Sequence, residues 1–303
     1  MMTLRKKIKR GAVYHLSFWL IRILNAVPRT LALLIGSFVG LLAWRLLPKD
    51  RYRISRHLTL AFGDRFTPIQ KQAVGRKFFI NTGKNLTDVV RFRKHFQSEI
   101  RPLVDAEGME HFDAAHRRGR GVIGVTGHIG NFELLAVYMA SCGYEVAVIG
   151  RRLYDPRLDR LLVANREAMG LRNFATTDSP RLLLDWLKQG KVVGVLIDTD
   201  SQRVRSMHLP AFGRLSNTPV GQSMLALRTG AALVPLACLR TEKDRYRVVI
   251  RPEVTAAPGL SKEDAVRDVT RKCTKALEEI ISPQPAQWIW LHNRWRTPPQ
   301  NTA

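Results

Sequence analysis

In "GHIGNFE", residues 127–133, a histidine and a carboxylate stand five positions apart, between a run of β-formers and a helical apolar pattern. An imidazole takes a proton from a hydroxyl near neutral pH, and a carboxylate beside it fixes its tautomer and supports the charge it acquires. His128 and Glu133 thus form the base and orienter of a triad without its nucleophile. Five positions along one helix turn through about 140°, so the two side chains can meet only if His128 lies in a loop and Glu133 in a first helical turn. A second candidate set is Asp198 and Asp200 in "VVGVLIDTD", after the most hydrophobic strand-like run of the chain. Two such carboxylates suit a divalent metal holding a nucleotide sugar, which makes a metal-dependent glycosyltransferase the rival chemistry.

The elements that must position these residues are readable around them. Val122, Ile123 and Val125, bounded by Gly121 and Gly127, predict a buried strand. Asn131 is a good N-cap, and Leu134, Leu135, Val137 and Tyr138 give the helix that follows an apolar face. His128 then sits at the carboxyl end of a strand, where open α/β sheets place ligands, and Glu133 is held ionised by the helix N-terminus. Gly127 and Gly130 let a substrate approach the backbone closely.

From about residue 103 the chain alternates strand (near 103–106, 121–126, 145–149, 172–175, 192–197) with helix (108–117, 131–142, 156–169, 179–189, 218–229). Strands at 232–239 and 245–252 and a helix at 262–281 close it. This order predicts an α/β fold with a single mixed, mostly parallel sheet flanked by helices, the two late strands pairing antiparallel. "GRGVIG" at 119–124 precedes its strand instead of following it, which is wrong for a dinucleotide turn, and "GQSML" at 221 lacks the second glycine of a nucleophile elbow. Cys142, Cys238 and Cys273 form no CxxC pair; a reducing compartment and buried packing are the expectation.

The chain has 303 residues, with 49 Lys and Arg against 25 Asp and Glu, a formal charge of +24. Such a field favours nucleic acid, an anionic membrane or acidic and phosphate-bearing partners, and no nucleic-acid motif accompanies it. Residues 1–48 differ from the body at 49–303: a basic start, "RKKIKR", leads into two apolar segments separated by Pro28. Arg22 interrupts the first segment, so a signal peptide is not expected. The uncharged run Thr30–Trp44 is shorter than the ~20 residues a span needs, and both flanks are basic, which suits a helical pair lying in the cytoplasmic leaflet. Gly36 and Gly40 form a GxxxG that permits close helix packing. The alternatives are a soluble helical hairpin and, for the whole chain, a non-enzymatic basic membrane-binding protein. Helices at roughly 50–62 and 67–95 carry Arg and Lys on their polar positions.

With its His-x4-Glu in "GHIGNFE", the chain resembles the glycerolipid and lysophospholipid acyltransferase superfamily, and most of all its bacterial late acyltransferases of lipid A biosynthesis, the lauroyl and myristoyl transferases. "HLTLAF" at 57–62, "RRLYDPRLDRLLVANREAMG" at 151–170, "DTDSQ" at 198–202, "LPAFGRLSNTPVG" at 209–221, "ALRTGAALVP" and "WIWLHNRWR" extend the resemblance over nearly the whole chain. It implies that His128 is a general base with Glu133 as partner, acting on an acceptor hydroxyl that attacks the thioester of acyl carrier protein or coenzyme A. It implies no acyl-enzyme, no metal and no cofactor. Gly130, Asn131, Arg166, Asp198 and Asp200 fall in the matching motifs as substrate-binding candidates, and Arg151, Arg152 and Arg214 are phosphate or carrier contacts. The partners implied are an acyl donor, an anionic phosphorylated lipid acceptor and the inner membrane's cytoplasmic face, with no nucleic acid. "DTD" stands for the usual Asp-Gln-Asp/Asn and Ala211 for a common Phe, departures that bear on acceptor identity.

Overall fold

The computed structural model describes residues 4–299; residues 1–3 and 300–303, and the side chains of residues 4–9 with most of the "RKKIKR" block, lie outside the described residues. Four helices come first: α1 Leu4–Ala26, α2 Arg29–Leu46, α3 Pro48–Phe62 and α4 Pro68–His95. Thr67 starts α4 with a full capping box, its hydroxyl accepting from the Gln70 N–H while the Gln70 side chain accepts from the Thr67 N–H.

The α/β body follows, with β1 Val104–Glu107, α5 Met109–His116, β2 Val122–Thr126, α6 Phe132–Ser141, β3 Val146–Gly150, α7 Pro156–Ala168, β4 Arg172–Ala175, α8 Pro180–Lys188 and β5 Val192–Leu196. It closes with a hairpin, β6 Ser206–Ala211 and β7 Arg214–Pro219, then α9 Gly221–Thr229, β8 Ala232–Arg240, β9 Tyr246–Ile250 and α10 Lys262–Ile281. Seven strands form one sheet in the order β1-β9-β8-β2-β5-β3-β4, parallel except for the β8/β9 pair. β2 and β5 lie inside the sheet with a strand on each side, and all five residues of β2 are buried.

The fold class is therefore the one expected from the alternation, and the antiparallel late pair is present. The β6–β7 hairpin is the difference. "SMHLPAFGRLSNTP" reads poorly as strand because Pro210 and its polar residues blur the alternation, and the turn is made by Phe212 at φ 50° and Gly213 at φ 73°. Cys238 and Cys273 are buried as expected, whereas Cys142 is exposed at the carboxyl end of α6.

The front helices pack on the body through α4. The α2 residues Ala32, Leu33, Gly36, Gly40 and Trp44 are buried, and the GxxxG of the sequence faces Phe79, Gly83 and Thr87. A Cβ at Gly83 would overlap the Gly36 carbonyl oxygen, so the helix backbones touch. Leu31, Leu34, Phe38, Leu42 and Leu46 on the other face of α2 are exposed, as are Leu16, Trp19 and Ile23 of α1. Among the described residues α2 is the one helix long and apolar enough to cross a membrane. At the other end of α1, Arg10 stacks on Tyr154 and Arg157 on Tyr14, which ties α1 to the loop before α7.

Overpacking the α2–α4 seam costs about 1–3 kcal/mol. Gly83→Ala is expected to lower the thermal midpoint in detergent, whereas Gly11→Ala, with nothing within 4 Å of its new methyl, leaves or raises it. Equal midpoints for wild type and Gly83→Ala would show that the two backbones are not in contact.

Candidate active site

β2 and β5 are neighbours in register, so their carboxyl ends bring His128 and Asp198 side by side. The Asp198 carboxylate is buried and accepts three hydrogen bonds. Its Oδ1 accepts from His128 Nδ1 at 2.9 Å, and its Oδ2 accepts from the His128 backbone N–H at 2.7 Å and from Trp288 Nε1 at 2.9 Å. With Nδ1 as the donor, the lone pair lies on Nε2, and among the described residues nothing hydrogen-bonds Nε2. The His128 side chain is 28% exposed, open enough for a substrate to reach it. Burial by itself lowers the His128 pKa; the Asp198 charge and hydrogen bond, with a smaller contribution from Glu133, outweigh burial and raise it above the ordinary imidazole value. Burial pushes Asp198 the other way, but the His128 charge and the hydrogen bonds hold its carboxyl down at about 2.

Glu133 is not the hydrogen-bonded partner of His128, which corrects the sequence expectation. It lies in the first turn of α6 as expected, but Arg166 of α7 grips it with two parallel bonds, Nε to Oε2 at 2.9 Å and Nη2 to Oε1 at 2.5 Å. Arg166 also donates Nη1 to Asn173 Oδ1 at 2.6 Å. Glu133 therefore reaches His128 only through its field, and its carboxylate spans α6 and α7. The bond to Asp198 was hidden because 70 residues separate the pair.

Gly130 and Asn131 hold the loop in place and offer no free group to a ligand. Gly130 has φ 56°, where a Cβ would strike the Cys238 carbonyl; its N–H donates to the Gln287 carbonyl at 2.6 Å and its carbonyl accepts from Asn85 Nδ2 at 2.8 Å. Asn131 is buried, caps α6 by accepting from the Leu134 N–H at 3.1 Å, and donates Nδ2 to the Tyr246 hydroxyl at 3.1 Å. Sequence reading missed the layer beneath them. Asp88 of α4, with no exposure, accepts from Arg29, Arg240 and the Tyr246 hydroxyl, while Asn85 accepts from Arg240 Nε at 2.9 Å. No local pattern marks these residues; a lone Asp in a helix with partners far along the chain looks like a surface residue.

Asp200 does not join Asp198 in a shared metal site. Its carboxylate accepts from the Thr297 N–H at 2.7 Å, the Thr297 hydroxyl at 2.8 Å and Asn217 Nδ2 at 3.2 Å, fastening the chain after Arg296 to the end of β5. No group of three His, Cys, Asp or Glu among the described residues could hold a metal ion. Arg214, at the hairpin turn, donates to the Leu60 carbonyl at 2.9 Å and is not part of the cleft. Arg151 and Arg152 do line one: a groove of about 490 Å³, shared with Arg160 and Arg166 and with the carboxylates of Asp159, Glu167 and Asp178. The four guanidinium groups outnumber the three carboxylates of the groove, which suits an anionic molecule, and an imidazole with an open Nε2 can take a proton from a hydroxyl.

The profile of a family described as bacterial lipid A biosynthesis acyltransferase matches residues 3–297. The chain is 26% identical over 302 residues to the lipid A biosynthesis lauroyltransferase of Escherichia coli K12, covering 95% of each chain. It is 24% identical over 285 residues to the palmitoleoyltransferase of the same organism, covering 90% of this chain and 87% of that one. It is also 26% identical over 196 residues to the phosphatidylinositol mannoside acyltransferase of Mycolicibacterium smegmatis, a match that covers 63% of this chain and only 62% of that protein's length.

The His128 shift has a testable sign. Asp198→Asn is expected to move the imidazole titration to lower pH in an NMR titration; an unmoved titration would mean the pair is not formed in solution. As a stability contribution, the Asp198 part is lost as pH falls through about 2, and the His128 part is lost as pH rises through its raised value. Both are fully present between about pH 4 and 6.5, where the stability gap between wild type and Asp198→Asn is greatest.

Proposed function

We propose, from the premise that the chain belongs to the bacterial lipid A biosynthesis acyltransferase family, that it transfers a fatty acyl chain from a phosphopantetheine thioester to a hydroxyl of a lipid A precursor or related anionic glycolipid. The donor is acyl carrier protein or coenzyme A, and the reaction takes place at the cytoplasmic face of the inner membrane. The observation that carries this reading is His128 itself, with its Nδ1 committed to a buried carboxylate and its Nε2 free at the carboxyl edge of the sheet.

Nε2 removes the proton as the acceptor oxygen attacks the thioester carbonyl carbon. The C–O bond forms, the C–S bond breaks, and the imidazolium returns the proton to the departing thiolate, giving ester and thiol. Asp198 keeps Nδ1 protonated throughout and stabilises the imidazolium. Base catalysis of this kind is worth roughly 10²–10⁴ in rate; holding both substrates in the groove provides more. Arg151, Arg152 and Arg160 present guanidinium groups to phosphates of donor or acceptor, and Arg166, held by Glu133, lines the same groove. The apolar outer faces of α1 and α2 lie in the leaflet, with Arg45, Lys49, Arg51 and Arg56 at its headgroups.

The test uses purified wild type and His128→Ala in detergent, with and without excess chelator, radiolabelled acyl carrier protein or coenzyme A thioester, and a phosphorylated disaccharide lipid acceptor. Wild type is expected to transfer label and His128→Ala to fall by at least about 10². Equal transfer by both would sink His128 as base, and transfer that stops on adding chelator would revive the metal-dependent chemistry. Separately, Phe38→Lys with Leu42→Lys should weaken binding to anionic vesicles while leaving transfer to a detergent-dispersed acceptor; undiminished binding would place the membrane face elsewhere.

A further inference from the structure

β5 runs into Asp198, Thr199 and Asp200, and two imidazoles are held by this one turn. Asp198 holds His128; two residues on, the Asp200 backbone N–H donates to Nε2 of His292 at 2.7 Å. A backbone amide can only donate, so Nε2 of His292 carries the lone pair and Nδ1 carries the proton. The segment bearing His292 is stitched to His128 on its other side as well. The Ile289 N–H donates to the His128 carbonyl at 3.2 Å, the Ile289 carbonyl accepts from the His292 N–H at 3.4 Å, and Trp288 shares Asp198 Oδ2. His292 is partly exposed, and among the described residues nothing accepts a hydrogen bond from its Nδ1. Burial lowers its pKa; Asp198 and, more weakly, Asp200 oppose this, while Arg294 and a charged His128 lower it further. This favours the neutral imidazole, the more so when His128 is charged.

We infer that His292 is a second catalytic residue, whose Nδ1–H donates a hydrogen bond to the thioester carbonyl oxygen as that oxygen gains negative charge. The inference rests on the acyl-transfer reading and adds what that reading lacks, a donor fixed in place for the oxyanion. As the acceptor oxygen bonds to the carbonyl carbon, the C=O electron pair moves onto oxygen, where Nδ1–H meets it. The pair returns as the C–S bond breaks, and no proton leaves His292. A neutral donor suits this role, since it stabilises the oxyanion without protonating it, and the Asp200 amide holds the ring against rotation.

Two near-isosteres separate this role from a structural one. In His292→Asn the amide nitrogen stands where Nδ1 stood, keeping the outward donor and losing the acceptor for Asp200. In His292→Gln the amide oxygen stands where Nε2 stood, keeping the acceptor for Asp200 and losing the outward donor. Transfer kinetics are measured for wild type, His292→Ala, →Asn and →Gln, with circular dichroism to confirm folding. His292→Ala and His292→Gln are expected to lose about 10²–10³ in kcat with KM little changed, and His292→Asn to recover a substantial part of it. A His292→Gln enzyme as active as wild type, or losses confined to KM, would overturn the assignment and leave His292 as a brace for the β5 turn. Wild type that transfers no acyl group from either donor would overturn the acyl-transfer reading itself, a result distinct from both.

Discussion

A carboxylate largely cut off from water must be matched by donors or it costs several kcal/mol, and Asp198 is such a carboxylate. Its donors come from the loop after β2 and from the carboxyl-terminal segment, while the acid itself ends β5. Satisfying one buried charge therefore forces three distant pieces of chain to converge at one point. The same bonds dictate which imidazole nitrogen bears the proton, so Nδ1 is the donor and Nε2 keeps the lone pair. Gly127 belongs to this constraint too, because a Cβ there would press on the Asp198 carboxylate.

Asp88 repeats the principle one layer down. Arg29 from the start of α2, Arg240 from the end of β8 and Tyr246 from β9 all donate to it. Asn85, one helical turn earlier, reaches the Gly130 carbonyl, and Tyr246 receives Asn131. The residues on either side of the His128 loop are thus pinned through a polar layer to α4 and α2. Such a network is costly when broken at one member, because each remaining group is left buried and unpaired.

What the sequence reveals here depends on the range of the interactions. Strand–turn–helix around His128, the Asn131 cap and the Thr67 start of α4 are decided by neighbours a few residues apart, and they are legible. Glu133 drew attention as the orienter of His128 because it is close in sequence, yet Arg166, 33 residues on, claims it. Asp198 stands out by its place after a hydrophobic strand and in a matching motif, but nothing local says which side chain it faces. His292 had no signal beyond lying in an aromatic, basic closing block; its role depends on a backbone amide 92 residues away. The hairpin at 206–219 stayed hidden for a different reason: its strands are short, polar and packed by tertiary contacts that override propensity.

The glycine seam between α2 and α4 leaves no slack between the outer apolar face and the loop that bears the base. Gly36 and Gly40 are spent on α4, and α4 in turn holds Gly130 through Asn85. Were α2 to rest in a leaflet, His128 would stand at a set elevation above the lipid plane, like the stylus of a depth gauge. Acceptor hydroxyls would then be sorted by how far they rise from the bilayer, and two sugars of like chemistry at different heights would not be equivalent substrates.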